Sequence, residues 1–173
     1  MLSVNGGTVE VESTRYPFCF SGDPDQMGPD TASILKYLPF NSDLNRLILV
    51  VHGVKAPQAR ITWGVHSRVV PARDLENGVN LADLFITSNP FSDQFFKVDS
   101  AVHQQQDVES ILTWQFLANL PRYKQLLPGH EALFDQITQA GLAECRRYAK
   151  DSSALVVPVR HTIAIEPIMG PVN

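Results

Sequence analysis

The chain reads as an α+β fold: a small antiparallel β-sandwich or curled sheet with an inserted two-helix hairpin and a returning C-terminal strand. Three observations predict it. Apolar and polar residues alternate with period two in short runs before residue 70, apolar residues recur at helical spacing between 92 and 150, and the alternation returns from Val157 to Glu166. Strands on both sides of a helical pair point to α+β rather than to repeating βαβ units. The expectation is one domain over 1–173, with a β unit formed by 1–70 and 155–166 and a helical hairpin over 92–150. At 173 residues the chain is long enough to bury roughly 70 % of its unfolded surface.

Asn5-Gly6-Gly7 is a turn signal, and the strand after it alternates Thr8, Glu10 and Glu12 with Val9 and Val11. Tyr16, Phe18 and Phe20 repeat the alternation and predict another strand. Ser21 to Asp30 is a polar loop rich in Gly, Pro and Asp, followed by a short helical turn over Thr31 to Tyr37. Leu47 to Val51 is apolar on both faces, which predicts a central, covered strand. Ile61, Trp63 and Val65 then face one way and Arg60, Thr62 and His66 the other, with Ser67-Arg68 turning the chain back into Val69-Val70. Ala72 to Asn77 is one helical turn stopped by Gly78.

The long helix starts near Ser92 and ends near Asn119 to Pro121, its inner stripe made by Phe95, Val98, Val102, Ile111 or Leu112, and Phe116. A second helix from about Glu131 to Lys150 turns Leu133, Phe134, Ile137, Cys145 and Tyr148 inward. The two form an antiparallel pair across the Leu127-Pro128-Gly129 corner.

Hydrophobic residues make up 44 % and charged residues 18 %, a folded and soluble composition that excludes a disordered or collagenous chain. A formal net charge of -4 offers no footprint for nucleic acid or an anionic membrane. No apolar run is long enough to span a bilayer, and Met1 to Thr14 has no secretory pattern. The chain is therefore read as cytoplasmic if Met1 is the true start, and as secreted if it is a fragment of a longer enzyme. Cys19 and Cys145 have no ligand spacing and read as buried free thiols, with no metal and no cofactor implied.

The motifs of common chemistries are missing. There is no GxSxG or Gly-Asp-Ser triplet, and Ser21-Gly22-Asp23 reads as a polar turn; no phosphate-binding glycine pattern is present. Asp99, His103 and Asp107 share one helix face through their spacing of four, an arrangement able to bind a metal or act as a base, but they lie off the apolar stripe and read as a solvated face. His52, His66, His130 and His161 lie in separate segments and read as structural. No catalytic, cofactor or metal residue is assigned. Gln105 and Glu109 fall on or beside the stripe, so they should be hydrogen-bonded, at a wet rim, or facing another domain.

A resemblance follows from Leu38-Pro39-Phe40-Asn41, Leu44-Asn45-Arg46-Leu47, Ala59 to Gly64, Leu75 to Ala82, and Asn89-Pro90-Phe91-Ser92 running into Val98-Asp99. In this order, over Leu38 to Ile165, they resemble the region after the catalytic core in bacterial SGNH (GDSL-type) hydrolases. In that family a Gly-Asp-Ser block carries the nucleophile, a Gly and an Asn complete the oxyanion hole, and an Asp-Xaa-Xaa-His block supplies the rest of the triad. None of these blocks occurs here; Asp99 to His103 is one residue too long. The resemblance implies a non-catalytic C-terminal module that supports such a core or shapes its substrate cleft, with the core docking near Gln105 and Glu109. The alternatives are a free-standing β-rich module binding carbohydrate or protein, with Trp63, Tyr16 and Phe18 as a stacking surface, and an independent enzyme using His103 and Asp99.

Overall fold

The computed structural model of the chain describes residues 3–23, 25–26 and 30–170, so part of the polar loop expected over 21–30, and Met1 and Leu2, lie outside the described residues. The fold is α+β, as the sequence predicts. The chain divides into two compact units, Met1–Phe95 with Pro158–Asn173, and Phe96–Val157.

The first unit is built on a five-stranded antiparallel sheet in the order β1-β2-β7-β4-β5. Strands β1 (Ser3–Asn5) and β2 (Thr8–Ser13) are joined across Gly6 and Gly7, whose φ values of 53° and 89° are those a tight two-residue hairpin demands. The returning strand β7 (Val159–Ile168) lies at the centre, paired with β2 on one side and with β4 (Gln58–Trp63) on the other. In β4 the alternation is strict: Ala59, Ile61 and Trp63 are buried, while Gln58 and Arg60 face solvent. These inward residues join Cys19, Val70, Leu75, Leu81, Phe85 and Phe91 in one core.

The hairpin that follows turns earlier than the sequence suggested. Trp63 pairs with His66, so the turn is Gly64-Val65, and Ser67 and Arg68 are mid-strand residues of β5 (His66–Pro71). Gly64 decides this, because its φ of 63° suits the first central position of such a turn, and a Cβ there would lie 2.8 Å from Pro90 Cγ. Val65 is consequently at the exposed tip rather than in the core.

Two further strands were overestimated. Leu47 to His52 is not a central strand: only β3 (Ile48–Leu49) pairs, with a two-residue β6 (Val79–Asn80), after the helix α2 (Ala72–Asn77) has ended at Gly78, φ 103°. Leu47, Leu49 and Val51 pack on the core, whereas Ile48 and Val50 face solvent. Tyr16 to Phe20 is extended but joins no ladder. A 3₁₀ turn at Thr31–Lys36 and the short helices α1 (Phe40–Asp43) and α3 (Leu81–Leu84) complete this unit, from which α4 (Ser92–Ser110) leads out.

The second unit is the helical hairpin. Helix α4 ends at Ser110, before the expected Asn119 to Pro121. The path passes through a π-helical stretch, Ile111–Phe116, and a 3₁₀ turn, Leu117–Asn119, into α5 (Leu120–Leu126). Pro121 sits in the first turn of α5, where its missing N–H costs nothing, so it starts a helix rather than ending one. After the corner, α6 (Glu131–Ala154) returns with Gly141 against Leu112. Leu112, rather than Ile111, is the buried member of that pair, and Phe134 is buried with it in this unit, while Leu133 and Ile137, expected inside, are exposed. Among the described residues no helix is long and apolar enough to cross a membrane.

Candidate functional site

The motif asparagines converge on one feature of the first unit. Asn45, 5 % exposed, accepts from the Phe18 N–H (2.8 Å) and donates to the Phe18 carbonyl (3.0 Å), the pattern a neighbouring strand would offer. Its Nδ2 also donates to Asn41 Oδ1 (2.9 Å), and Asn41 Nδ2 donates to Asp83 Oδ1 (2.8 Å). Asn80, the N-cap of α3, accepts from the Leu47 and Ala82 N–H groups and donates to the carbonyls of Asn41 and Asn45. Buried amides of this kind are tolerated only because they are fully bonded. The short motifs Leu38 to Asn41, Leu44 to Leu47 and Gly78 to Ala82 are therefore parts of a single clamp. Sequence reading quoted these residues without finding their distant partners, which lie 27 to 42 positions away.

What the clamp positions is an aromatic cleft of about 450 Å³. Asn45 fixes Phe18, and Phe18 makes edge contacts with Phe20, Phe40 and Phe95 at centroid distances of 4.8, 5.4 and 5.1 Å. Phe18, Phe20 and Phe40 line the cleft together with Ile34 and Tyr37, from the 3₁₀ turn and its cap, and with Asp30. Phe18, Ile34 and Tyr37 are 37 %, 44 % and 66 % exposed. Of the aromatics considered as a stacking surface, Phe18 lies here, Tyr16 packs half-buried on Phe91, and Trp63 is fully buried and offers no face to a ligand. The buried Trp63 Nε1 has no hydrogen-bond partner among the described residues.

The other candidates sit apart. His103 lies 3.5 Å from Asp99 on an exposed face of α4 and bonds that residue's carbonyl, and Asp107 makes no bond with either. Among the described residues no group of three His, Cys, Asp or Glu side chains could hold a metal ion. Ser21 and Asp23 are tied into local turns with Thr31 and Asp25. Cys19 and Cys145 are both free, Cys19 buried beside Asn89 and Cys145 only half-buried. Burial raises the Cys19 pKa, which keeps it a thiol rather than a nucleophilic thiolate. His161 is buried, His52 and His130 exposed.

Gln105 and Glu109 find their partners within the hairpin. Gln105 Nε2 donates to Glu109 Oε1 (2.9 Å), and the buried Ser152 donates to Gln105 Oε1 (2.8 Å). Their polarity on the stripe is thus explained without a second domain.

One pair escaped sequence reading. Ser88 Oγ and His66 Nε2 are 2.6 Å apart, the contact of a nucleophile with its base. The other parts of a triad are not found around it among the described residues. No carboxylate among the described residues orients His66, and the N–H groups of Ser88 and Asn89, which could face an oxyanion, donate to the Phe85 carbonyl (3.3 Å) and to Ser92 Oγ (3.1 Å). Two residues 22 positions apart with no shared motif give no sequence signal.

No protein-family model matches the chain, and no curated protein matches it. Among solved structures it is similar to one described as a gut microbial diltiazem-metabolizing enzyme, with a TM-score of 0.63 and 17 % identity over 95 % of this chain and 44 % of that one. At that identity the likeness bears on the fold alone, and the chain spans less than half the length of that enzyme.

Proposed function

We propose that the chain is a non-catalytic module of the kind that accompanies the core of SGNH-type esterases, and that it supports such a core or shapes its substrate cleft. The observation that carries this reading is the use of the motif asparagines. Asn41, Asn45 and Asn80 bond one another, Asp83 and nearby backbone, so these motif residues serve a scaffold. The likeness to less than half of an enzyme that metabolizes diltiazem is in keeping with a module that serves a larger enzyme. A core docking on this module would meet Ile111 and Trp114, exposed apolar residues two and five positions beyond Glu109. Gln105 and Glu109 themselves have their bonds within the hairpin.

The test is hydrolysis of p-nitrophenyl acetate by the intact purified chain. The reading expects a rate equal to the protein-free background, unchanged in His103→Ala and Ser88→Ala. Turnover well above background that either substitution abolishes would overturn it.

A further inference from the structure

We infer that the cleft between Phe18 and Tyr37 binds a hydrophobic organic ammonium ion, an apolar body carrying one positive charge. This inference does not rest on the module reading, because every residue it uses lies in the first unit.

The size fits first. About 450 Å³ is within the range of small-ligand pockets, and the walls are mainly aromatic and aliphatic, as such pockets are. The rings are also held in place rather than collapsed. Phe18 is pinned through its backbone by Asn45 and through its ring by three edge contacts, and it still leaves 37 % of its surface uncovered beside Ile34 and Tyr37. A preformed apolar wall gains on filling without a matching loss of side-chain freedom.

Charge selects among apolar ligands. Among the described residues Asp30 is the single charged one on the wall. The hydroxyls beside it are spent, Ser33 Oγ on the Asp30 carbonyl (2.7 Å) and Thr31 Oγ1 on the Ser21 N–H (2.9 Å). The Asp30 carboxylate itself has no hydrogen bond or ion pair among the described residues. Lys36, on the same 3₁₀ turn, does not neutralise it, because its Nζ donates to the Asp25 carbonyl (2.7 Å).

Gly22 makes room for this carboxylate. With φ at +82°, a Cβ at that position would stand 2.4 Å from Asp30 Cγ. A cation placed in the cleft would lie near the Asp30 charge and against aromatic rings, whereas an anion would be repelled and a sugar would find few free donors or acceptors.

The experiment is an NMR titration of the intact chain with benzyltrimethylammonium, and in parallel with neutral N,N-dimethylbenzamide of similar size. The expected result is a set of amide shifts centred on Phe18, Ile34 and Tyr37, with the cation bound at least about fivefold more tightly than the amide. Asp30→Asn should erase that preference while the rest of the spectrum stays in place. Tyr37→Ala should weaken the binding of both. Equal affinity for cation and amide, a preference that survives Asp30→Asn, or shifts scattered away from the cleft would each overturn the inference.

Discussion

At Asn45 one side-chain amide takes the place of a strand. Pro17 has no N–H to contribute to a ladder, and Phe18 exchanges its N–H and carbonyl with Asn45 instead of with a neighbouring backbone. Asn45→Ala should therefore leave buried groups unpaired on Phe18 and on Asn41 and cost about 2–3 kcal/mol, read as a lowered midpoint in urea. Asn45→Asp should do no better, because it keeps the acceptor for Phe18 but sets an anion against the Phe18 and Asn41 oxygens. This is also where sequence reading stopped short. An alternation of Tyr16, Phe18 and Phe20 signals an extended chain, but nothing local says that its partner is a side chain 27 residues on.

His161 adds a pH dependence at the same scale. Its ring is packed 4.8 Å from Phe91 and 5.9 Å from Trp63, and this burial holds its pKa below the ordinary value, with a weaker opposing pull from the Val159 carbonyl. The unfolded chain then takes up the proton first on acidification, so the stability this histidine contributes is present above the ordinary imidazole pKa and is lost as pH falls through it toward the folded value. Thermal melting should shift downward between about pH 7 and pH 5, around the imidazole range. His161→Phe, which keeps an aromatic ring in place, should flatten that portion of the curve.

At the scale of elements, period decided type and glycine decided position. The alternation in β4 and β7 was legible because each strand has one buried and one wet face. Leu47 to Val51 misled for the opposite reason: a run apolar on both faces reads as central, yet half of it faces solvent on a two-residue ribbon. In the hairpin of helices, the apolar stripe foretold two antiparallel helices but not that Leu133 and Ile137 would stay exposed. Close approach at Gly141 is the reason Leu112 is buried there. A Cβ at 141 would lie 2.5 Å from Leu112 Cδ1 and 3.2 Å from its Cδ2. Gly141→Ala should therefore destabilise the native chain although alanine is the better helix former by about 1 kcal/mol. In a Leu112→Ala background the same substitution should instead stabilise, and a double-mutant cycle in chemical denaturation measures that reversal.

Over the whole molecule, the asparagine clamp, the spent amides around Ser88 and the exposed setting of His103 are the features on which the proposed non-catalytic module rests. Its fold matches less than half of a longer enzyme, and its first unit presents an aromatic cleft with one carboxylate. The Ser88–His66 contact is the one place where that account is most exposed, since a hydroxyl 2.6 Å from an imidazole is how activated serines begin. The direct measurement is intact-mass analysis after incubation with a fluorophosphonate, which traps activated serines covalently. The account predicts no adduct on the native chain beyond that seen with His66→Ala. A stoichiometric adduct on Ser88 that disappears in His66→Ala would contradict it.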